Sequence, residues 1–75
     1  VIEGNKPPKG SIVTVLEDVT TTGSSAIKAV NVLRDAGYVV NRVVTIVDRM
    51  ENHKVWENNE LEFISLFKLE NIINE

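Results

Sequence analysis

Two runs of β-branched residues separated by one helical pattern constrain the fold of this 75-residue chain more than any other feature. The first run, Ser11–Leu16, and the second, Tyr38–Val47, are rich in valine and isoleucine and predict strands. Between them, apolar or small residues recur at helical spacing, at Ala26, Ala29, Val30, Leu33 and Gly37. A helix between two such strands favours a right-handed crossover. We therefore predict an α/β chain with a parallel sheet.

The remaining segments predict loops and short elements. Val1–Gly10 contains two prolines and predicts a loop, and Met50–Glu60 is polar and irregular. Leu61–Leu66 predicts a third strand and Lys68–Asn74 a short terminal helix. One main helix is too little to cover both faces of a parallel sheet, so we expect part of the fold to lie outside this chain.

The ends of the main helix carry recognisable signals. Ser24 or Ser25 is a natural N-cap, because a hydroxyl can accept a hydrogen bond from the first turn. Gly37 is a natural stop, because glycine readily takes the left-handed conformation that ends many helices. The predicted helix therefore begins directly after a loop rich in threonine.

Composition excludes several classes of protein. The chain has no cysteine, which excludes disulfide scaffolds, thiolate metal sites and cysteine nucleophiles. Eight basic residues against eleven acidic ones give a net charge of −3, which argues against a nucleic-acid binder with a general basic surface. Apolar stretches are far shorter than the roughly 20 residues of a membrane helix. We expect a soluble, cytoplasmic protein that binds neither nucleic acid nor membrane.

A hydroxyl-rich loop follows the first strand. Five hydroxyl residues and one glycine occupy Thr20–Ser25, directly after Glu17 and Asp18. A helix N-terminus offers unpaired N–H groups to a phosphate, and carboxylates accept hydrogen bonds from ribose hydroxyls. The pattern thus suits a phosphorylated sugar. It also suits simple helix capping or a solvated acidic pair, and the residues alone leave these interpretations open.

A longer match favours the phosphate interpretation. Val13–Ser25, V-T-V-L-E-D-V-T-T-T-G-S-S, resembles the PRPP-binding motif of type I phosphoribosyltransferases. The resemblance implies that Glu17 and Asp18 hold the ribose hydroxyls as the catalytic pair. It also implies that the substrate-binding residues of the loop, which surround the 5′-phosphate, are Val19, Thr20, Thr21, Thr22, Gly23, Ser24 and Ser25. The fold implied is a partial Rossmann-like parallel sheet of the type I phosphoribosyltransferase fold.

Three further features resemble the orotate phosphoribosyltransferases among that family. Thr21 stands where hypoxanthine-guanine enzymes usually carry aspartate, and a threonine can donate to an anionic base such as orotate. Asp48-Arg49 ends the second strand, and the resemblance implies that Arg49 meets the orotate carboxylate. Without the resemblance, a surface or ion-paired arginine is the more frequent case. Leu61–Ile73 is similar to the closing strand and helix of these enzymes.

The chain also departs from the family pattern. The family often has D-R-x-E/Q-G-G, and here the segment is D-R-M-E-N-H, so both glycines are missing. Ser24 replaces the usual second glycine of the phosphate loop. The family's N-terminal half, with its flexible catalytic loop, has no counterpart here. We therefore interpret residues 1–75 as a C-terminal part of a phosphoribosyltransferase domain that carries the PRPP-binding motif at 13–25.

The resemblance implies transfer of ribose 5-phosphate from PRPP to orotate, giving orotidine 5′-phosphate and pyrophosphate in pyrimidine biosynthesis. Mg²⁺ is expected mainly on PRPP, with no metal ligands assigned to this chain, and the full-length enzyme is expected to be a homodimer. An alternative is a non-enzymatic module that senses PRPP or nucleotides. A receiver-like signalling domain is a third interpretation, which leaves the hydroxyl-rich loop unexplained.

Three single residues could carry chemistry, and the sequence gives each a simpler interpretation. His53, the only histidine, is interpreted as a surface residue, because no second imidazole accompanies it. Trp56 is interpreted as a packing residue. Ser25 has no adjacent base that would make it a nucleophile.

Overall fold

The computed structural model describes residues 7–68. They form β1 (Ile12–Thr20), α1 (Ser24–Asp35), β2 (Val39–Asp48), α2 (Lys54–Asn58) and β3 (Glu62–Lys68). The three strands make one parallel sheet in the order β1-β2-β3. The predicted α/β class and parallel sheet are confirmed.

The strands differ from the predicted segments at their ends. β1 was expected to end before Glu17-Asp18-Val19, but it continues through them, because its pairing with β2 extends to Thr20 opposite Asp48. β2 is continuous, and the polar pair in its middle coincides with a register shift in which Asn41 has no partner on β1. β3 lies one or two residues later than predicted. Lys68 belongs to β3, and the rest of the predicted terminal helix, like residues 1–6 of the N-terminal loop, lies outside the described residues.

The start of α1 corrects one prediction, and its end confirms another. The N-cap is Gly23, with φ 84°, rather than Ser24 or Ser25, and its carbonyl accepts the first helical hydrogen bond from Ile27 at 2.9 Å. Neither serine is needed as a cap, because the left-handed glycine turns the chain into the helix. At the other end, Gly37 has φ 99° and follows the last turn, as expected.

A second helix was not predicted. α2 is a single five-residue turn within the segment expected to be irregular. Its start is fixed by Asn52, whose Oδ1 accepts the N–H of Lys54 at 2.8 Å. Its centre is fixed by Trp56, which is 2% exposed and stacks on Phe63 with ring centroids 4.5 Å apart. The prediction that Trp56 packs in the core is confirmed.

Both helices cover the same face of the sheet. The buried core joins strand residues to helix residues and comprises Val15, Ala26, Val30, Val40, Val43, Trp56 and Leu61. Side chains alternate along a strand, so the opposite face presents a separate set of residues. That set is apolar and exposed, and includes Ile12, Leu16, Ile46, Ile64 and Leu66. Within residues 7–68, one face of the sheet is therefore bare, as the scarcity of helices predicted.

Candidate functional site

The site lies at the C-terminal edge of the sheet. Thr20, Asp48 and Lys68 are in register at the ends of the three parallel strands. The loop after β1, residues 21–23, is therefore adjacent to the loop after β2, residues 49–53. A hydrogen bond of 2.8 Å from the N–H of Arg49 to the carbonyl of Thr20 joins the two loops directly. In open parallel sheets this edge is where ligands bind.

The loop after β1 forms a small cradle at the start of α1. A cavity of about 60 Å³ lies within it. Its lining is contributed by Glu17, Val19, Thr20, Thr21, Thr22, Gly23, Ser24, Ser25 and Ala26. Because the first helical hydrogen bond comes from Ile27, the N–H groups before it have no partner within the helix. Such N–H groups, at the positive end of the helix dipole, suit an anion the size of a phosphate.

Gly23 is required by two independent features of this cradle. Its φ of 84° lies in the left-handed region that side chains disfavour. A Cβ built there would lie 3.1 Å from the Trp56 ring and 3.2 Å from Val55. The loop after β1 therefore rests directly on α2, and only glycine fits between them.

The hydroxyls predicted to wrap a phosphate divide into two groups. Thr20 is buried, and its Oγ1 donates to Oγ1 of buried Thr45 at 2.9 Å, so this hydroxyl ties β1 to β2. Thr21 and Ser25 are exposed at the cradle. Thr22 and Ser24 are linked to each other, with their hydroxyl oxygens 3.0 Å apart. The cradle thus offers hydroxyls from four of its five predicted residues, with Thr20 acting as support.

The two predicted catalytic carboxylates have different surroundings. Glu17 is half-buried and lines the cradle. Asp18 is exposed, and its carbonyl oxygen accepts a hydrogen bond from the Thr45 hydroxyl at 3.3 Å. Successive residues of a strand direct their side chains to opposite faces. Glu17 is therefore the carboxylate that the fold brings beside the loop.

Arg49 joins the cradle through a second, larger cavity. This cavity has a volume of about 470 Å³ and is lined by Thr21, Thr22, Arg49, Glu51 and Asn52. Thr21 and Arg49 are the two residues expected to meet the base, and they lie 28 positions apart in the sequence. Thr21 also lines the cradle, so the two cavities share a wall. The described residues thus place a phosphate-sized site beside a larger space with an exposed guanidinium.

His53 is an exposed residue, as predicted, and it also contacts a buried carboxylate. Its ring is 44% exposed, but Nε2 lies 2.8 Å from Oδ2 of Asp48, a carboxylate whose side chain is 4% exposed. Oδ1 of Asp48 accepts the N–H of Met50 at 2.8 Å. Sequence reasoning also missed Asp48 as a buried acceptor. No pattern in the chain signals this contact, because it depends on how the loop after β2 turns back.

The described part of the chain holds no group of three or more metal-ligating side chains. It also contains no helix that is long and apolar enough to cross a membrane. A neighbouring cavity of about 690 Å³ lies on the α2 side of the sheet and is lined by residues such as His53, Trp56 and Lys68; it shares Glu51 and Asn52 with the Arg49 cavity. It includes neither Arg49 nor any residue of the loop after β1.

Comparison with known proteins gives a consistent result. No protein-family model matches the chain. Orotate phosphoribosyltransferase from Thermosynechococcus vestitus is 67% identical over 48 residues, covering 64% of this chain and 25% of that protein. The enzyme of the same name from Nostoc sp. is 48% identical over 69 residues, covering 91% and 34% respectively.

A solved structure agrees with these sequence relatives. Orotate phosphoribosyltransferase from Aeropyrum pernix matches with a TM-score of 0.83 and 35% identity, over 91% of this chain and 38% of that one. The chain therefore spans about a quarter to two fifths of the length of these relatives. The parallel sheet, the cradle and the loop after β2 all lie within a fold shared with that structure.

Proposed function

We propose that this chain, which belongs to the orotate phosphoribosyltransferases and spans about a third of their length, carries the ribose-phosphate and orotate parts of the enzyme's site. The reaction would transfer ribose 5-phosphate from PRPP to orotate. The bond from the anomeric carbon to pyrophosphate breaks, and its electron pair leaves with pyrophosphate. A ring nitrogen of orotate forms the new bond and loses its proton, giving orotidine 5′-phosphate.

The observation that carries the proposal is the shared wall between the cradle and the Arg49 cavity. Thr21 lines both, so a phosphate held by the loop would extend its sugar and base towards Arg49. A guanidinium can make two parallel hydrogen bonds to a planar carboxylate, and orotate carries one. Thr21 can donate to the same anionic base, where an aspartate would repel it.

The carboxylates have a role in the proposed reaction that follows from charge. Loss of pyrophosphate develops positive charge on the ribose, and Glu17, beside the cradle, is suited to hold a ribose hydroxyl and to stabilise that charge. Asp18, one residue later on β1, is exposed, and its role at the sugar rests on the resemblance to the family. Anchoring the phosphate in the loop restricts the sugar, so the base and the anomeric carbon meet in a defined geometry.

Several finer features belong to the same proposal. Mg²⁺ would enter as the complex of PRPP, because phosphate and hydroxyl oxygens are the hard ligands that this ion prefers. The resemblance to the family supports a homodimeric, cytoplasmic enzyme, with the rest of the domain supplied outside this chain. A non-enzymatic PRPP-binding module is the alternative, and an exposed arginine beside Thr21 favours the orotate enzyme over it.

Nucleotide selectivity tests this proposal. We expect the chain to bind orotidine 5′-phosphate about 10- to 100-fold more tightly than uridine 5′-phosphate, which lacks only the carboxylate. In Arg49→Ala the two affinities should become nearly equal, while the affinity for ribose 5-phosphate stays the same. Titrations followed by amide NMR measure all three affinities and locate them at Thr21, Gly23 and Arg49.

The control is Arg42→Ala, which removes another exposed arginine that pairs with Glu62 on the sheet. This variant should keep the preference for orotidine 5′-phosphate. If wild-type chain binds both nucleotides equally well, the orotate assignment is wrong. A chain that binds ribose 5-phosphate without any base preference would fit the sensing module instead.

A further inference from the structure

The loop after β2 is folded onto a buried carboxylate. Asp48, 5% exposed, ends β2, and its two oxygens accept from different partners. Oδ1 accepts the N–H of Met50 at 2.8 Å, and Oδ2 lies 2.8 Å from Nε2 of His53. An ionised carboxylate only accepts, so the His53 tautomer in this contact carries a proton on Nε2. Asp48 therefore holds the loop at two positions, on either side of Glu51 and Asn52.

These contacts fix the backbone from which Arg49 projects. Arg49 follows Asp48 directly, and its own N–H is bound to the carbonyl of Thr20 at 2.8 Å. The next N–H, of Met50, is bound to Asp48. The backbone on both sides of the Arg49 side chain is thus held by hydrogen bonds. The long side chain remains free to meet a ligand, since Arg49 is exposed.

His53 reaches Asp48 from a position that is supported in turn. Its ring centroid lies 5.7 Å from that of Phe63, with the ring planes tilted by 43°. Phe63 stacks on Trp56, and Trp56 lies under Gly23 of the phosphate loop. The His53–Asp48 contact therefore ties the Arg49 loop to the same aromatic pair that supports the phosphate loop.

The loop departs from the family pattern at the two residues that make its side-chain hydrogen bonds. Asn52 and His53 occupy the end of D-R-M-E-N-H, where the resembled family often has two glycines. Asn52 begins α2 through its bond to Lys54, and His53 bonds to Asp48. Two side-chain hydrogen bonds therefore restrict the loop at positions where glycines would give its backbone more conformational freedom.

We propose that His53, acting through Asp48, is a positioning residue that orients Arg49 for the carboxylate of orotate; this inference rests on the function proposed above. His53 does not line the cavity formed by Thr21, Thr22 and Arg49. It lines the neighbouring cavity on the α2 side, which shares Glu51 and Asn52 with the first. It is therefore placed to act on the loop rather than on the base. Its removal should weaken recognition of the carboxylate and leave phosphate binding intact.

Two variants of His53 separate the hydrogen bond from the bulk of the ring. His53→Gln keeps an N–H donor able to reach Asp48, and His53→Leu keeps apolar contact with Phe63 but has no donor. For each, affinities for orotidine 5′-phosphate, uridine 5′-phosphate and ribose 5-phosphate are measured, together with hydrogen exchange at the Met50 amide. His53→Asn, whose shorter amide falls short of Asp48, replaces the leucine variant if the latter loses its dispersed NMR spectrum.

We expect His53→Leu to weaken orotidine 5′-phosphate binding about 5- to 10-fold, which is the loss of part of a charged hydrogen bond. Binding of ribose 5-phosphate should change less than about twofold, Met50 should exchange faster, and His53→Gln should restore the wild-type values. If His53 had a purely structural role, its loss would weaken the binding of all three ligands together, and that result would overturn the inference. So would a leucine variant that keeps the full preference for orotidine 5′-phosphate.

This experiment distinguishes failure of the inference about His53 from failure of the proposed function. A wild-type chain that prefers orotidine 5′-phosphate to uridine 5′-phosphate, with no effect of His53→Leu, overturns the inference and leaves the proposed function standing. A wild-type chain without that preference overturns the proposed function, and the inference with it. Loss of the preference in His53→Leu with rescue by His53→Gln supports both.

Discussion

The loops after β1 and β2 lie side by side but are held by different means. The loop after β1 is shaped by its backbone: a left-handed Gly23, a helix start and hydroxyls bound to near neighbours. The loop after β2 is shaped by side-chain hydrogen bonds, chiefly those of the Asp48 carboxylate with Met50 and His53. The first loop is thus specified by its backbone, and the second by side-chain contacts that Asp48 makes two and five residues along the chain. A backbone loop suits an invariant group such as phosphate, and a side-chain loop can be adjusted to one base.

Both loops nevertheless rest on one element. Trp56 of α2 lies against Gly23 on one side and stacks on Phe63, which also contacts His53. The two halves of the site therefore share a support that belongs to neither loop. Variants at and around this support can separate the two loops or damage both.

The largest effect is expected from Trp56→Ala, which should disturb both loops. Truncating a buried tryptophan costs about 3–5 kcal/mol of unfolding free energy, enough to unfold a chain of this size. Trp56→Phe should cost much less, because it keeps a ring to stack on Phe63, and Nε1 of Trp56 has no hydrogen-bond partner among residues 7–68. Urea unfolding followed by circular dichroism measures both.

Trp56→Phe also distinguishes the two loops. It removes the outer ring atoms that lie nearest Gly23 while retaining the stack below His53. Ribose 5-phosphate binding should therefore weaken more than the preference for orotidine 5′-phosphate over uridine 5′-phosphate. Equal losses in both measurements would mean that the two loops are not supported separately.

A smaller effect is expected from Gly23→Ala, which should damage only the loop after β1. Strain at φ 84° and contact with Trp56 at 3.1 Å together should cost about 2–3 kcal/mol. Gly10→Ala is a matched control, because its φ is 89° but nothing lies within 4 Å of the added Cβ. The control should lose only about 1 kcal/mol by the same urea measurement. Equal losses at the two positions would exclude a role for the Trp56 contact.

The smallest effect concerns the hydroxyls of the loop after β1. Thr20→Val should destabilise the fold by about 1 kcal/mol, because it leaves the buried Thr45 hydroxyl without its donor. Thr22→Val should leave stability nearly unchanged, because its contact with Ser24 is exposed, and should weaken ribose 5-phosphate binding instead. Thermal unfolding and phosphate titration together test this division. A Thr20→Val variant with normal stability and weak phosphate binding would reverse the assigned roles.

Local signals account for the parts of the fold that were predictable. The β-branched runs and the helical spacing between them lie within short segments, so each predicts its own element without reference to the rest. The stop at Gly37 is likewise local, and it is confirmed by its φ of 99°. The cap of α1 was misassigned because Gly23 and the two serines are all acceptable caps, and the left-handed φ and the packing on Trp56 that favour glycine belong to the folded chain.

The candidate site shows the same division. That Thr21 and Arg49 line one cavity followed from parallel strand ends, which always meet at one edge. That Thr20 is buried support while Thr21 is exposed could not be read from three consecutive threonines. α2 was not predicted because it is a single turn with one buried residue, and a segment this short shows no periodic pattern.

By itself, the sequence determined the parallel α/β order, the position of the hydroxyl-rich loop after β1 and the presence of a chemically suitable arginine, because these depend on short-range spacing and residue type. Only the tertiary structure decided which carboxylate lies beside the loop, which threonine is buried and that Trp56 supports Gly23. These depend on strand twist, register and the return of the chain over the sheet. Contacts between residues far apart in the chain leave no periodic trace in it, and so they emerge only when the chain is folded.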